Sequence, residues 1–321
     1  MNKEIIKPIE INLREFQKRF SSILKSKITL LDIILKYILK QKGKKIRPIL
    51  VLLSAKLVGG VNDRTYTAAI LVELLHTATL IHDDVVDDAK VRRGIASINA
   101  IWKNKAAVLI GDYLLSKGLL FSLENNEFEF LKILSEAVKR MSEGELMQIQ
   151  RSRKFDATER TYFEVISNKT ASLIKTCCKL GAFSATDNED YINSLSAFGE
   201  NLGIAFQLRD DLLDYMGRKK LLGKSIGNDI KEKKFTLPLL YSLNHAPQKI
   251  SYEIIKLIKS NSLKKFNVVY DFVNDYGGIE HTNKKTKYYC ELAKENLKIF
   301  KNSDAKIALN SLIDFIYKRE Y

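Results

Sequence analysis

The chain has 321 residues, is 45% hydrophobic and carries a formal net charge of +15, so it is long enough to bury a substantial core. Its first thirty residues are charged throughout, and no segment approaches twenty uncharged apolar residues, so we expect neither a signal peptide nor a transmembrane segment. The three cysteines, two of them adjacent, are a poor disulfide framework and favour a reducing, cytoplasmic location.

The predicted elements are helices from end to end. Apolar residues recur at helical spacing, as in Leu30, Leu31, Ile34 and Ile38. Residues 49–237 contain no proline and are rich in Leu, Ile, Ala, Lys and Glu, a composition that long helices need. No convincing alternating strand pattern, repeat or low-complexity linker interrupts them. We therefore predict an all-α fold, a single large helical bundle of ten or more helices around a central cavity, in one domain over residues 1–321.

Two copies of the pattern Asp-Asp-x-x-Asp carry the strongest functional signal. Each follows an apolar run, which places it at the polar end of a buried helix, and its first and last aspartates then lie on one helical face. Like charges at that spacing cost about 0.2–0.5 kcal/mol even in water, so the pattern indicates bound cations. Magnesium prefers such oxygen ligands and completes its shell with substrate phosphates. The six aspartates are Asp83, Asp84, Asp87, Asp210, Asp211 and Asp214.

Basic groups accompany the acidic motifs and suit an anionic substrate. Lys44 and Arg47 lie in a short basic segment at 43–48, and Arg92 and Arg93 follow the first motif, with Gly94 predicted to end its helix. The loop 217–236 has seven Lys or Arg residues, two acidic residues and three glycines, which is typical of a flexible lid that closes on phosphate. A solvated basic turn is the alternative for any one of these groups.

The motifs resemble those of the trans-isoprenyl diphosphate synthases, also called polyprenyl synthetases. The stretch from His76 to Asp88, with Arg92-Arg93-Gly94, is similar to the first aspartate-rich region of that family, and the stretch from Gly203 to Asp214 is similar to the second. Shorter matches follow in the family's order along nearly the whole chain. They are 43–48, Gly111-Asp112-Tyr113-Leu114, Lys169-Thr170-Ala171, Gly223-Lys224, Lys234-x-Thr236-Leu237-Pro238 and Gly277-Gly278-Ile279-Glu280.

The resemblance implies a prenyltransferase that joins isopentenyl diphosphate to an allylic diphosphate held by Mg²⁺. An allylic carbocation forms as diphosphate departs, the double bond of isopentenyl diphosphate attacks it, and loss of a proton completes a five-carbon extension. A homodimer is also implied. By resemblance, the six aspartates bind metal, and Asp83, Asp84, Asp87 and Asp210 act in catalysis together with Lys169, Thr170 and Gln207. The residues that contact the allylic diphosphate are Arg92, Lys169, Gln207, Lys224 and Lys234, and Thr170 steadies the carbocation of that substrate. The residues that bind isopentenyl diphosphate are Lys44, Arg47, His76 and Arg93.

The length of the product is predicted from small residues before the first motif. Thr79 and Ala78 lie four and five residues before Asp83, respectively, on the same helical face, and in this family a bulky aromatic residue there would stop growth early. Leu74, Leu75 and the segment 119–121 are candidate deeper floors. We expect a hexaprenyl to octaprenyl product for quinone side chains. Ordinary close packing of small residues, and a shorter farnesyl or geranylgeranyl product, are left open.

Three rival classes fit less well. A terpene cyclase would share the first motif but usually has a different second metal site, and a non-catalytic partner subunit of a heteromeric synthase would have lost aspartates that this chain keeps. A nucleic-acid-binding protein is suggested only by the net charge, without a recognition module, so we expect no nucleic-acid partner. Contact of the basic surface with membrane lipid is left open.

Overall fold

Long α-helices make up most of the computed structural model, which describes residues 3–41, 43–92, 94–154, 158–216, 228–231, 234–260 and 265–319. Arg93, Lys224 and most of the proposed lid at 217–236 lie outside these ranges. Within them, the predicted all-α class with ten or more helices is confirmed.

The elements follow one another with short connections. In chain order they are α1 (Lys3–Ile6), a 3₁₀ turn (Lys7–Ile9), α2 (Glu10–Ile23), α3 (Thr29–Lys40), α4 (Ile46–Val58), α5 (Asp63–Val86), β1 (Val91–Arg92), β2 (Ile95–Ala96), α6 (Ile98–Glu124), α7 (Phe128–Lys154), α8 (Glu159–Ile166), a π-helical turn (Ser167–Ala171), α9 (Ser172–Phe183), α10 (Glu189–Met216), α11 (Asn228–Lys231), α12 (Leu237–His245), α13 (Gln248–Lys259), α14 (Lys265–Asp275), α15 (Gly278–Asn296) and α16 (Asp304–Tyr317).

The chain groups into two compact units, each built from three separate segments. The first unit comprises Met1–Ser135, Thr176–Leu195 and Ile299–Leu309, and the second comprises Glu136–Lys175, Ser196–Lys298 and Asn310–Tyr321. Asp83, Asp84 and Asp87 belong to the first unit, and Asp210, Asp211 and Asp214 belong to the second. The single domain and the central cavity predicted from the sequence stay predictions.

In the first unit, the buried helix α5 presents the first acidic motif at its C-terminal end. The helix begins at a capping box, in which the Asn62 side chain accepts a bond from the Thr65 N–H at 2.9 Å and the Thr65 hydroxyl accepts one from the Asn62 N–H at 3.2 Å. Arg64 in the first turn forms an ion pair with Glu127 at 2.7 Å. The capping box and the ion pair thus stabilise the first turn of α5.

The first motif ends its helix earlier than predicted. Helix α5 ends at Val86, and Asp87 caps it with φ −85° and ψ 0°. The chain then forms a hairpin in which Val91 pairs with Ala96, with Gly94 in the turn at φ +81°. The prediction that the helix ends at Gly94 is therefore wrong, because this glycine supplies the positive φ of a hairpin turn rather than a helix cap.

Helix α6 lies against α5 through small residues. A side chain at Gly111 would overlap the imidazole of His82, and a Cβ at Gly118 would lie 3.8 Å from that of Leu74. His82 Nε2 lies 3.3 Å from the Val108 carbonyl oxygen, so the imidazole is a hydrogen-bonding neighbour of α6. Near the start of α6, Lys103 interrupts the helix with φ 70° and ψ 164°.

Length and apolar composition alone would let α6 cross a membrane, and it is the only described helix that passes this test. Only 33% of its most apolar window is buried. A single helix of this kind is weak evidence for a membrane span, since core helices pass the same test.

In the second unit, α8, α10 and α12 share an apolar cluster that supports the second motif. The cluster joins Tyr162 and Ile166 to Leu208 of α10 and to Leu237 and Leu240 of α12. Helix α8 continues into the π-helical turn, and α10 carries the second acidic motif in its last two turns.

Candidate active site

The first acidic triplet divides into two exposed carboxylates and one buried carboxylate. Asp83 and Asp87 are exposed, one turn apart, and the Asp87 N–H donates to the Asp83 carbonyl oxygen at 2.8 Å. Asp84 is buried, and Arg92 Nε donates to its Oδ1 at 2.5 Å. Burial raises the pKa of Asp84, and the bond from Arg92 opposes that rise. The residue predicted to bind diphosphate is here the partner of a predicted metal ligand.

A cavity of about 260 Å³ in the first unit adjoins this triplet. Asp84, Arg92 and His76 line it, with Lys45 and Glu73 beside them. His76 thus shares a cavity with the cationic side chains of Lys45 and Arg92, and its predicted role in binding isopentenyl diphosphate stays a prediction.

The basic segment before α4 contributes a residue that sequence reasoning passed over. Lys45 caps α4 in the left-handed conformation, with φ 49° and ψ 37°, and lines the cavity. The predicted Lys44 is exposed, and Arg47 is half-buried in the first turn of α4. The only sequence signal for Lys45 was its position next to Lys44.

The second acidic triplet is organised around a buried carboxylate, Asp211. Tyr162 donates its hydroxyl hydrogen to Asp211 Oδ2 at 2.6 Å, and Gln207 Nε2 donates to Oδ1 at 2.7 Å. Thr170 in turn donates to Gln207 Oε1 at 2.7 Å. The structure therefore brings three predicted residues, Thr170, Gln207 and Asp211, into one chain of hydrogen bonds, to which Tyr162 is added.

Burial sets the electrostatics of Asp211. Its side chain is 4% exposed, and burial, followed by the charge of Asp229, raises its pKa well above the ordinary value. The bonds from Tyr162 and Gln207 oppose that rise. A cation delivered to this carboxylate would therefore offset a substantial desolvation cost.

The two other aspartates of the second triplet are held by groups from distant parts of the chain. Arg319 Nη1 lies 3.2 Å from Asp210 Oδ1, and the Asp229 N–H donates to Asp214 Oδ2 at 3.1 Å. Arg319 and Asp229 were absent from the sequence prediction, because nothing in a sequence marks an arginine 109 positions away as a neighbour.

A cavity of about 120 Å³ in the second unit combines charge with an apolar wall. Lys169, Asp211 and Lys234 supply charged groups, and Val165 and Phe235 are among the apolar lining residues. Lys169 forms an ion pair with Glu145, and its Nζ lies 3.4 Å from Gln148 Oε1. Ammonium groups next to apolar side chains suit a ligand with an anionic head and an apolar tail.

The donor atoms suit a hard divalent cation. Carboxylate oxygens are the ligands that Mg²⁺ and Ca²⁺ prefer, and Asp83 and Asp87 present theirs to solvent. In the part of the chain that the structure describes, no three Asp, Glu, His or Cys side chains already form a metal-binding cluster. The predicted assignment of all six aspartates as metal ligands, and their convergence, stay predictions.

The predicted chain-length residues lie in the first unit, with one correction. Ala78 is buried, and the hydroxyl of Thr79 donates to the His76 carbonyl oxygen at 3.0 Å. Of the predicted deeper floor, Leu119 and Leu120 are 39% and 57% exposed. They do not line an interior of this chain, since Gly118 and Ser122 are the buried positions of that helical turn.

Both the sequence and the fold are similar to those of known proteins. Residues 28–273 match the family model described as polyprenyl synthetase. The chain is 34% identical to the octaprenyl diphosphate synthase of Escherichia coli (92% of each chain) and 35% identical to the short chain isoprenyl diphosphate synthase of Methanothermobacter thermautotrophicus (87% of each chain). The crystal structure of a polyprenyl synthase from Caulobacter crescentus, complexed with calcium and isoprenyl diphosphate, is similar with a TM-score of 0.91 and 32% identity, covering 99% of this chain and 98% of that one.

Proposed function

Because the chain belongs to the polyprenyl synthetase family and is a trans-prenyl diphosphate synthase, we propose that it extends an allylic diphosphate with isopentenyl diphosphate units in Mg²⁺-dependent head-to-tail condensations. The observation that carries the proposal is the cavity in the second unit, where Lys169, Lys234 and Asp211 share an apolar wall. That combination fits the charged head and hydrocarbon tail of a prenyl diphosphate.

The residues of this cavity have distinct proposed roles. Lys169 and Lys234 hold the diphosphate of the allylic substrate, so their charges oppose the negative charge that grows there as the carbon–oxygen bond breaks. Gln207 accepts the hydrogen of the Thr170 hydroxyl at 2.7 Å, and the proposed role of that hydroxyl oxygen is to stabilise the developing cation. The apolar walls exclude water, which would otherwise capture the cation.

In the first unit, His76 with Lys44, Lys45, Arg47 and Arg93 is proposed to bind isopentenyl diphosphate. The cavity of about 260 Å³ supports this role, because it joins cationic side chains to apolar ones from α2 and α3. Isopentenyl diphosphate suits both kinds of lining, since its diphosphate is charged and its five-carbon part is apolar.

Magnesium is proposed as the metal. Bound there, it would supply positive charge to a departing diphosphate. The all-oxygen donor set supports a hard cation, and the similar Caulobacter structure is described as a complex with calcium. Removal of divalent cations with EDTA should abolish product formation, and Mg²⁺ should restore it. Full activity in EDTA would contradict the proposal.

The test of the reaction uses purified protein, farnesyl diphosphate and radiolabelled isopentenyl diphosphate. Asp83→Ala and Asp211→Ala should each lower turnover by orders of magnitude while the helical circular dichroism signal is retained. Asp271→Ala, at an exposed position of α14 outside both motifs, is the matched control and should keep wild-type turnover. Loss of label incorporation in all three variants alike would contradict the assignment.

We also propose a hexaprenyl to octaprenyl product, with a shorter product as the alternative. The small side chain of Ala78, buried five residues before Asp83, supports this, since it lacks the bulk that would stop a growing chain. Ala78→Phe should shorten the product seen by reversed-phase chromatography, while Ala78→Ser, which adds little volume, should not. An unchanged length in Ala78→Phe would refute the role of this position.

A second copy of the chain is proposed as the partner of α6. Its outward face is a stripe of exposed apolar side chains at helical spacing, and 39–60% of each is exposed. The stripe consists of Val108, Leu109, Leu119, Leu120 and Leu123. Light scattering after gel filtration should give twice the 36.7 kDa mass of the chain, and Leu109→Lys with Leu120→Lys should give the single mass. A wild-type monomer would refute the dimer.

A cytoplasmic location completes the proposal. Its support is that Cys177, Cys178 and Cys290 are unpaired and buried, as expected in a reducing compartment. Fractionation of cells that produce the protein would test it, and recovery from a secreted fraction would contradict it.

A further inference from the structure

The π-helical turn between α8 and α9 carries two of the residues that are proposed to act on the allylic substrate, Lys169 and Thr170. The Ser172 N–H donates to the carbonyl oxygen of Ser167, five residues back, instead of that of Asn168. The Asn168 carbonyl oxygen accepts the Ser172 hydroxyl at 2.5 Å instead. Turns of this kind are rare and occur often at functional sites, so the surroundings must hold this one in place.

Consecutive side chains of the turn reach two different helices. Lys169 pairs with Glu145 of α7, and Thr170 donates to Gln207 of α10. These two contacts fix Lys169 and Thr170, which line the cavity of the second unit, and Gln207 lines the same cavity.

A charged network fixes the opposite end of the turn. Arg140 of α7 donates to Asn168 Oδ1 at 3.0 Å and to the Ser167 hydroxyl at 3.2 Å. That hydroxyl donates to Glu200 Oε1 of α10 at 3.2 Å, and Lys175 of α9 donates to Glu200 Oε2 at 2.7 Å. The side chains of Arg140, Lys175 and Glu200 are 29–35% exposed, so solvent screens them only in part.

Two glycines let α7 and α10 approach the backbone of the turn. A Cβ at Gly144 would lie 2.9 Å from the Lys169 nitrogen, and one at Gly203 would lie 2.6 Å from the Ala171 Cα. Real side chains essentially never make such contacts. The turn is therefore enclosed by glycine on both sides and tied by the network at one end.

We propose that Arg140 and Glu200 are positioning residues that hold the π-helical turn so that Lys169 and Thr170 stay in the cavity with Asp211. They do not line that cavity and act through the turn. The proposal rests on the proposed function, and it identifies which part of the second unit sets the affinity for the allylic substrate.

The first experiment measures steady-state kinetics of Glu200→Gln and Arg140→Gln with each substrate varied in turn. Loss of a group that orients a metal ligand typically lowers metal affinity or activity about 10- to 100-fold, and a group that orients a binding lysine should have an effect of the same order. We expect kcat/KM for the allylic diphosphate to fall about tenfold or more, with KM for isopentenyl diphosphate within twofold of wild type. Arg140→Lys keeps one donor and should recover part of the loss. Lys139→Gln, which removes an exposed partner of Glu143 at 3.8 Å, is the matched control on the same helix.

A double-mutant cycle separates positioning from general stability. If Glu200 acts through the turn that carries Lys169 and Thr170, then Glu200→Gln should cost less in the Lys169→Ala background than in the wild type. Additive losses, or parallel losses for both substrates that follow the loss of folded protein, would overturn the proposal. Unchanged kinetics would do the same.

Hydrogen exchange supplies a readout that needs no activity. The amides of 167–172 should exchange at least several-fold faster in Glu200→Gln than in wild type, and Lys139→Gln should match wild type. Unaltered exchange in Glu200→Gln would overturn the proposal even if the wild-type protein formed no prenyl product. Absence of product in the wild type would instead contradict the proposed function. Because Glu200→Gln keeps the shape of the side chain, it serves if Arg140→Gln does not fold.

Discussion

Replacement of Tyr162 by phenylalanine tests how the second acidic motif is supported. The substitution removes one hydroxyl and with it the 2.6 Å bond to Asp211. Both side chains are buried, at 6% and 4% exposure, so the bond is largely shielded from bulk solvent. A hydrogen bond to a charged group contributes about 1.5–3 kcal/mol, which corresponds to about a ten- to hundredfold change in an equilibrium or rate constant.

The loss should fall on metal-dependent turnover rather than on the fold. Asp211 keeps its bond from Gln207 at 2.7 Å, and the aromatic ring of residue 162 keeps its packing against Ile166 and Leu208. We therefore expect kcat/KM for the allylic diphosphate to fall about ten- to hundredfold, and the Mg²⁺ concentration for half-maximal turnover to rise.

The assay is label incorporation at a series of Mg²⁺ concentrations, with circular dichroism to verify folding. Tyr288→Phe, the same change at a position that is 57% exposed, is the matched control and should behave as wild type. If Tyr162→Phe retains wild-type kinetics at every Mg²⁺ concentration, the hydrogen bond does not support the motif and the reasoning fails.

Three further predictions concern stability and reactivity. Lys103→Gly should raise the free energy of unfolding by about 1–3 kcal/mol, because only glycine adopts φ 70° and ψ 164° without strain; an unchanged melting temperature would contradict this. Burial raises the pKa of Cys178 and of Cys290 to about 12 and that of Cys177 well above its ordinary value; none of the three thiols should react with Ellman's reagent at pH 8 before denaturation, and rapid labelling of the folded protein would refute their burial. Burial alone would raise the pKa of Glu200, but Lys175 and Arg140 outweigh it and lower that pKa below 4.5. The stability that this group contributes is therefore present above pH 4.5 and is lost as the pH falls further. Glu200→Gln should lessen that loss in thermal melts at acid pH.

The helical fold was predictable because local and global signals agree. No proline occurs between Pro48 and Pro238, and apolar residues recur with the helical period. The acidic motifs were predictable for the same reason: each follows an apolar run, so its place near a helix end follows from periodicity. The structure bears this out at Asp83, where α5 ends within one turn.

The errors arise where packing rather than pattern decides. In the segment Leu119-Leu120-Phe121, three apolar residues in a row do not indicate which of them faces the core, and the burial of Gly118 and Ser122 shows which side of α6 is buried. Gly94 is a comparable case, since a glycine after a helix fits a cap and a hairpin turn equally well. Only the pairing of Val91 with Ala96 decides between them.

The aspartates themselves show why a site can be located from sequence while its arrangement cannot. A buried carboxylate needs donors, and the chain supplies them from wherever folding brings them: Arg92, eight residues from Asp84, and Tyr162, 49 residues from Asp211. Arg92 thereby serves a predicted metal ligand although its motif assigns it to diphosphate. The two roles are compatible. If Asp84 bound a metal ion, its charge would be balanced without Arg92. The Arg92 guanidinium would then be available to bind phosphate oxygens of the substrate.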